Sequence, residues 1–128
     1  MEQLNILYSK IRENFGGRIK VIIVGSAPLP SDLAKSIKIF FSVPIIEAYG
    51  MTEASGAIVS SHFDDHRNLT CGGSVMCNQF KLIDVPELNY HSKTLDIDGN
   101  PSPSGEICAK GFNIMAGYFR DKKILPQR

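Results

Sequence analysis

A strand–helix–strand pattern between residues 17 and 49 constrains the fold more than any other feature of this chain. Residues 19–24 are apolar and β-branched apart from Lys20 and are followed by Gly25, which predicts a short buried strand. Residues 31–41 have helical spacing of their apolar side chains, and residues 45–49 again read as a strand. A strand, a crossover helix and a second strand place both strands parallel in one sheet, so we predict an α/β fold.

Single residues mark the expected ends of these elements. Ser31 is a good N-cap for the helix, and Pro44 ends the helical segment. Gly50 is expected to close the second strand. The side chains expected to face the core from this helix are Leu33, Ile37 and either Phe40 or Phe41.

Two loops follow the predicted parallel strands, at residues 25–30 and 49–56. Ligands of open α/β sheets bind beyond the carboxyl ends of the strands, at the edge of the sheet where such loops lie. We therefore expect these two loops to form a ligand site.

An amphipathic helix is predicted before the first strand. Gly16 and Gly17 stop it, because glycine tolerates the left-handed conformation at a helix end. One face of this helix carries Leu4, Leu7, Tyr8, Ile11 and Phe15.

The pattern changes to short strands from about residue 70. Strands are predicted at 79–85, at 94–97 before the Asp98-Gly99 turn, and at 105–111. Residues 62–69 form the expected connection. We predict an α/β part over 1–61, followed by the connection and a β-rich subdomain over 62–128 of the same domain.

Composition excludes several functional classes. Fourteen basic and thirteen acidic residues give a net charge of +1, too little to favour nucleic acid as a partner. No apolar run approaches the ~20 residues of a membrane-spanning helix, and residues 1–5 do not resemble a signal peptide. The three cysteines, Cys71, Cys77 and Cys108, fit a reducing, intracellular compartment better than a disulfide framework.

The stretch from Tyr49 to Glu53 is the most informative for chemistry. An aromatic ring can stack on a base, and glycine at position 50 lets the backbone approach a ligand. Thr52 can donate to a phosphate oxygen, and Glu53 can help to hold Mg²⁺, which prefers one or two carboxylates together with phosphate oxygens. The alternative is a plain strand-turn, with Tyr49 packed and Glu53 solvated.

Three ordered blocks, at 25–29, 49–53 and 105–118, resemble motifs of the adenylate-forming superfamily of acyl-CoA synthetases, luciferases and peptide-synthetase adenylation domains. The first resembles the adenine-side loop, the second the aromatic-Gly-x-Thr-Glu motif and the third the Gly-Glu-Ile/Leu…Gly-Tyr motif. The resemblance extends from about residue 4 to residue 121. It implies that the chain is part of the large domain of such an enzyme.

The segment 77–90 resembles a stretch peculiar to long-chain fatty acyl-CoA synthetases of the eukaryotic type. Two positions depart from the family pattern. Gly73-Ser74-Val75 runs directly into Met76-Cys77-Asn78, where the family has additional residues, and Ala48 replaces a common glycine.

The resemblance implies a two-step ligase. A fatty carboxylate attacks the α-phosphorus of Mg-ATP to give acyl-adenylate and pyrophosphate, and the thiol of coenzyme A, a co-substrate, then displaces AMP. Fatty acid, ATP and CoA are thus the implied partners, with location in the cytoplasm or facing it on an organelle membrane. Membrane association would require regions outside this chain.

The resemblance also implies roles for single residues, with Thr52 and Glu53 as the catalytic pair. Glu53 would bind Mg²⁺, and Thr52 would contact the α-phosphate. The nucleotide- and acyl-side set would comprise Gly25, Ser26 and Ala27 beside the adenine and the acyl entrance, Tyr49 stacked on adenine, and Gly50 and Met51 contributing backbone contacts. The 105–118 block would support the site rather than react in it, because its glycines suit tight turns.

The family's Ser/Thr/Gly-rich phosphate loop does not occur in this sequence, nor does Gly-x4-Gly-Lys-Ser/Thr. The ribose-binding acid, the hinge and the catalytic lysine are expected beyond residue 128. The chain alone is therefore expected to be an inactive internal fragment. Three alternatives stay open: a ligase for another carboxylic acid, a non-catalytic nucleotide- or acyl-binding module, and an α/β piece with a coincidental motif.

The polar run 62–66 contains two histidines and two aspartates, but a solvated loop is the better interpretation than a metal site. A zinc site from His66, Cys71 and Cys77 is disfavoured, because the Cys-x5-Cys spacing does not match the usual short knuckle. Cys108 is expected to be a small core residue of a strand.

Overall fold

A computed structural model describes residues 2–67 and 69–120 of the 128-residue chain. Residues 121–128 of the predicted β-rich part, and the side chain of Leu4, lie outside the described residues. The elements, in chain order, are α1 Glu2–Asn14, β1 Ile22–Val24, α2 Ser31–Phe41, β2 Ile45–Met51, a 3-10 turn Thr52–Ala54, β3 Gly56–Ser60, β4 Gly73–Ser74, β5 Asn78–Ile83, a 3-10 turn Pro86–Leu88, and β6 Glu106–Gly111.

The strands form two sheets, one of four strands in the order β1-β2-β3-β4 and one of two strands, β5 and β6. The chain divides into two compact units. The first comprises the chain up to Gly50 together with Val59–Gly73, and the second comprises Met51–Ile58 together with the chain from Ser74 onward. The predicted boundary between residues 61 and 62 stays a prediction. In the described part, no helix is both long and apolar enough to cross a membrane.

The predicted strand–helix–strand unit is confirmed in the first unit. β1 and β2 pair in parallel, with Ile22 opposite Ile45 and Val24 opposite Glu47. The buried side chains of Leu29, Ala34 and Ile45 form the core under this unit, and Ile22, Val24 and Ile37 pack against it. The α/β class predicted from the sequence is therefore correct.

The first strand is shorter than predicted and only half buried. It covers Ile22–Val24 rather than 19–24, and the side chain of Ile23 is 67% exposed. Side chains alternate between the two faces of a strand, and Ile22 and Val24 pack against the core while Ile23 lies on the opposite face. The prediction of a buried strand was therefore wrong for Ile23.

Helix α2 begins without the predicted serine cap. Ser31 is its first helical residue, Pro30 precedes it as N-cap, and no side chain caps the end. The Pro30 carbonyl accepts the Ala34 N–H at 2.9 Å, and a proline there loses nothing by lacking an N–H. The buried residue of the helix is Ala34. Leu33, which was predicted to face inward, is 47% exposed.

Helix α1 ends as predicted. Gly16 and Gly17 adopt φ of 81° and 66°, and the Gly17 N–H bonds to the Arg12 carbonyl at 2.8 Å. Its aromatic residues pack on α2, with Tyr8 against Phe40 at 5.2 Å between ring centroids. Two members of the predicted inward face, Leu7 and Phe15, are more than half exposed, although the Phe15 ring lies 5.3 Å from that of Phe41.

Strand β2 runs through Gly50 and ends at Met51, so the prediction that Gly50 closes the strand was wrong. Glycine breaks a strand only where the backbone turns, and here it stays in the sheet. Strand β3, Gly56–Ser60, was not predicted from the sequence.

In the second unit, β5 and β6 are antiparallel, from Asn78 opposite Gly111 to Ile83 opposite Glu106. The predicted strand at 94–97 does not form, and a single bridge joins Leu95 and Pro101. The Asp96 carboxylate accepts the N–H groups of Asp98 and Asn100 at 2.9 and 2.8 Å. This local turn uses backbone N–H groups that would otherwise be available for strand pairing.

The shortened connection before β5 folds as a tight turn within the second unit. The Asn78 N–H bonds to the Val75 carbonyl at 3.2 Å, and Ser74 Oγ lies 2.8 Å from the Asn78 carbonyl oxygen. The direct run from Val75 to Met76 is thus compatible with β-sheet geometry.

Candidate functional site

The loop after β1 and the end of β2 are neighbours in the first unit. Parallel pairing stops at Val24 opposite Glu47, so Gly25 follows beside Ala48. A Cβ on Gly25 would lie 3.4 Å from the Ala48 carbonyl oxygen, in close contact with the backbone of β2. Ser26 takes a left-handed φ of 72°. The predicted adenine-side residues Gly25, Ser26 and Ala27 are exposed, on the same sheet edge as Tyr49.

Tyr49 lies directly before Gly50, the last β2 residue of the first unit, and is 36% exposed. Part of its ring is therefore open to a stacking partner, while the rest is covered. Gly50, exposed, adds no side chain beside it. Stacking on adenine stays a prediction for Tyr49.

Behind the loop lies a buried carboxylate that the sequence interpretation passed over. Glu47 is 9% exposed, and its Oε2 accepts the Leu29 N–H at 3.5 Å. Its backbone is fixed by Ser61, whose Oγ accepts the Glu47 N–H at 2.9 Å and whose N–H bonds to the Glu47 carbonyl at 2.8 Å. An acidic residue between Ile46 and Ala48 in an apolar strand was the available signal.

Glu47 also affects a cysteine of the same unit. Burial raises the pKa of the Cys71 thiol, and the negative charge of Glu47 raises it further. The thiol is half-buried and is not in a disulfide. Cys71 is thus poorly suited to act as a nucleophile.

In the second unit, Thr52, Glu53 and Ala54 form a single 3-10 turn. Ser55 closes it in a left-handed conformation, with its N–H bonded to the Thr52 carbonyl at 3.0 Å. Met51 and Thr52 are exposed, and Glu53 is half-buried. The turn thus leaves the hydroxyl of Thr52 accessible, which a phosphate contact requires.

Glu53 is contacted by the third sequence block. The Tyr118 hydroxyl donates to Glu53 Oε1, and the Met115 N–H bonds to the Glu53 carbonyl at 2.8 Å. The Asn113 amide donates to the Ala54 carbonyl at 2.9 Å. The sequence predicted a supporting role for this block but no direct contact with Glu53. The contacts join residues as much as 65 positions apart, beyond the reach of local patterns.

Glycines of this block are needed for close approach rather than for turns. Gly105 directly precedes β6, Gly111 is the last residue of β6, and neither has a positive φ. A Cβ on Gly105 would lie 2.6 Å from the Ile83 carbonyl oxygen, and one on Gly111 would lie 2.7 Å from Asn78 Cα. Only Gly117, with φ of 147°, fits the predicted conformational reason.

The geometry at Glu53 fits a magnesium ion shared with phosphates. In the described part of the chain, Glu53 forms no ion pair with a basic side chain, and its Oε2 has no protein partner. Within the same described ranges, no three acidic, histidine or cysteine side chains cluster as a metal site. Glu53 alone would supply one carboxylate ligand, and Mg²⁺ accepts this when phosphate oxygens complete its shell.

The polar run 62–66 has other partners. The Arg67 guanidinium bonds to Asp65 at 2.7 Å and lowers the pKa of that carboxyl to about 2. His62 Nδ1 lies 3.6 Å from Asp64. Both pairs are formed between close neighbours in the chain, as in a solvated loop.

Residues 2–119 match the family described as AMP-binding enzyme. The chain belongs to the AMP-binding enzyme family. The recognition of an adenylate-forming enzyme from three sequence blocks is thereby confirmed.

Curated relatives resemble the chain over most of its length. It is 38% identical over 116 residues to fatty acyl-CoA synthetase A of Dictyostelium discoideum, which covers 91% of the chain. It is 39% identical over 120 residues, 92% of the chain, to the peroxisomal long chain acyl-CoA synthetase 7 of Arabidopsis thaliana. The chain spans 17% and 16% of the lengths of these two relatives.

A solved AMP-binding structure has the same fold. The A domain of carboxylic acid reductase from Segniliparus rugosus, solved in complex with AMP and a co-purified carboxylic acid, matches with a TM-score of 0.67 and 31% identity. The match covers 94% of this chain and 17% of that one.

Proposed function

We propose that this chain forms part of an ATP-dependent long-chain fatty acid–CoA ligase, and that it contributes part of the nucleotide site. The observation that carries the proposal is the 3-10 turn Thr52–Ala54, in which Thr52 is exposed and Glu53 has no basic partner among the residues that the structure describes. The two acyl-CoA synthetase relatives support the fatty acid as substrate.

The proposed reaction has two steps. A carboxylate oxygen of the fatty acid attacks the α-phosphorus of ATP, the bond to the bridging oxygen of the β-phosphate breaks, and pyrophosphate leaves with the bonding electrons. The sulfur of coenzyme A then attacks the acyl carbon of the adenylate. AMP leaves, and the thiol proton passes to solvent. Adenylation replaces an oxide leaving group with a phosphate monoester, which makes acyl transfer feasible.

This chain's own residues would orient the reactants rather than react with them. Tyr49 would stack on adenine beside Gly25, Ser26 and Ala27, while Gly50 and Met51 would offer backbone contacts. Thr52 would donate to an α-phosphate oxygen. Glu53 would hold Mg²⁺, and the bound ion would neutralise negative charge on the phosphates.

A second candidate is adenylation of a different carboxylic acid. The similarity to the A domain of a carboxylic acid reductase favours it, because that domain was solved with AMP and a carboxylic acid. The motif from Tyr49 to Glu53 does not read the acyl chain. A non-catalytic nucleotide-binding module stays the third possibility.

The deciding assay is acid-dependent exchange of labelled pyrophosphate into ATP by the full-length protein that carries this chain. We expect exchange with long-chain fatty acids and weak exchange with aromatic or short acids. The reverse preference would favour the second candidate, and no exchange with any acid would contradict the ligase.

Replacement of Glu53 tests the magnesium assignment. Glu53→Gln should lower the exchange rate about 100-fold, because the amide keeps the size but not the charge that Mg²⁺ requires. The matched control is Glu87→Gln, an exposed glutamate of the turn Pro86–Leu88, which should exchange at the wild-type rate. Undiminished exchange by Glu53→Gln would show that the metal ligand lies elsewhere.

Cysteine chemistry and one relative bear on cellular location. The three free cysteines fit a reducing compartment, and the Arabidopsis relative is named peroxisomal. We infer an intracellular protein, cytoplasmic or facing the cytoplasm on an organelle membrane, with any membrane attachment through other regions.

A further inference from the structure

The segment 113–118 contacts the turn Thr52–Ala54 at three points within the second unit. Two of them hold the turn's backbone. The Asn113 amide nitrogen donates to the Ala54 carbonyl at 2.9 Å, and the Met115 N–H donates to the Glu53 carbonyl at 2.8 Å. Ala54 is 1% exposed, so this end of the turn is anchored in the interior.

The third contact reaches the functional group itself. The Tyr118 hydroxyl donates to Glu53 Oε1, one of the two carboxylate oxygens. Gly117, with φ of 147°, gives the chain the bend that precedes this tyrosine. Tyr118 is 39% exposed, so its ring is not required to fill a core. The contact that distinguishes it from any other half-exposed aromatic residue is the bond to the carboxylate.

A carboxylate with one oxygen held by a hydroxyl has lost most of its freedom to rotate. Its backbone is fixed by Met115, and its Oε1 is fixed by Tyr118. The remaining oxygen, Oε2, then points in one direction. A donor bonded to a metal-binding carboxylate sets that carboxylate's orientation, and loss of such a donor typically weakens metal binding 10- to 100-fold.

We propose that Tyr118 is a positioning residue for the metal site: its hydroxyl orients the Glu53 carboxylate so that Oε2 is presented to Mg²⁺ on the bound triphosphate. This inference rests on the proposed function, because it assumes that Glu53 binds Mg²⁺. It assigns Tyr118 no contact with substrate.

The test measures binding, not turnover. Titration calorimetry of the full-length protein with α,β-methylene-ATP, a non-reacting analogue, gives the affinity in EDTA and again in excess Mg²⁺. The ratio of the two affinities reports the metal. Tyr118→Phe keeps the ring and removes the hydroxyl. We expect its affinity in EDTA to stay within twofold of wild type and the gain on adding Mg²⁺ to fall about tenfold.

The matched control is Tyr90→Phe in the same unit. Tyr90 is 46% exposed, and among the described residues its hydroxyl has no bonding partner. It should keep the full gain from Mg²⁺. A double variant, Tyr118→Phe with Glu53→Gln, should lose no more of the gain than Glu53→Gln alone, because Tyr118 acts through Glu53.

The possible outcomes distinguish failure of the proposed role of Tyr118 from failure of the proposed function. A wild-type protein that binds the analogue more tightly in Mg²⁺, with Tyr118→Phe showing the same gain, would overturn the role of Tyr118 and leave the proposed function intact. Loss of affinity by Tyr118→Phe in EDTA as well would reveal a general structural role and overturn it too. A wild-type protein that does not bind the analogue would refute the proposed function and the inference together.

Discussion

At the scale of single residues, the buried carboxylate of Glu47 explains how the loop after β1 is held. A carboxylate that leaves water must find donors, since an unpaired buried charge is costly. Here it accepts the Leu29 N–H at 3.5 Å, the residue just before Pro30 at the start of α2. The negative group also lies near a helix N-terminus, whose partial positive charge favours it. The loop that contains Gly25 to Ala27 is thus connected to β2 through the Glu47 side chain.

The pKa of the Cys71 thiol depends on the charge of Glu47. Burial and then the Glu47 charge raise the pKa of Cys71, because both disfavour the thiolate. Glu47→Gln removes the charge and leaves the burial. We expect the pH midpoint of Cys71 alkylation by iodoacetamide to move down but to remain above the ordinary thiol value. Peptide mass spectrometry distinguishes Cys71 from Cys77 and Cys108.

The matched control for this experiment is Glu13→Gln, an exposed glutamate of α1 in the same unit. It should leave the Cys71 midpoint where the wild type has it. A Glu47→Gln midpoint equal to that of wild type would show that Glu47 carries no charge near the thiol.

At the scale of elements, the sequence predicts which segments are regular better than it predicts where they end. The strand–helix–strand unit is visible because glycine and proline separate apolar runs of the right lengths. The observed ends of its elements differ from the predicted ends where a residue type is compatible with two local structures. Gly50 stays extended inside β2, and Pro30, not Ser31, caps α2. The alternation at 94–97 fails because the Asp96 carboxylate binds the following backbone.

The candidate site likewise has features that could be predicted from the sequence and features that could not. The motif from Tyr49 to Glu53 is contiguous, so it could be found from the sequence. The contacts of Glu53 with Tyr118 and of Glu47 with Leu29 could not, because they depend on how strands and loops meet in space. No local pattern contains that information.

The glycines at the ends of β6 give the prediction at this scale. A Cβ on Gly111 would overlap the Cys77 carbonyl and lie 2.7 Å from Asn78 Cα, both backbone atoms that cannot move without parting β5 from β6. Gly111→Ala should lower the free energy of unfolding by about 1–3 kcal/mol. Urea denaturation of the full-length protein that carries this chain, followed by circular dichroism, measures the change.

Gly73→Ala is the control, because Gly73 also lies in a strand but a Cβ there meets nothing within 4 Å. Its effect should stay within about 0.5 kcal/mol. Equal effects of the two substitutions would mean that β5 and β6 are not in such close contact.

At the scale of the whole molecule, the distribution of apolar side chains bears on what the 128 residues do alone. Among the described residues, the buried hydrophobic side chains are few, namely Leu29, Ala34, Ile45, Ala54 and Ile58. Large apolar side chains are open to solvent, and Met76, Ile97 and Phe112 are essentially fully exposed. Exposed apolar surface of this extent usually marks a contact surface.

These 128 residues expressed alone should therefore behave as a loosely packed chain. We expect strong fluorescence enhancement of the dye ANS and a broad thermal transition, because too little apolar surface is buried to oppose the chain entropy. AMP binding should be undetectable by calorimetry at millimolar ligand, since Gly25 to Ala27 and Tyr49 would have only part of a binding site around them. The acyl-CoA synthetase relatives, of which the chain spans 17% and 16%, have the additional chain that can cover such surfaces. A sharp, cooperative transition without dye binding, or a saturable AMP titration, would instead show that these residues form a self-sufficient nucleotide-binding module.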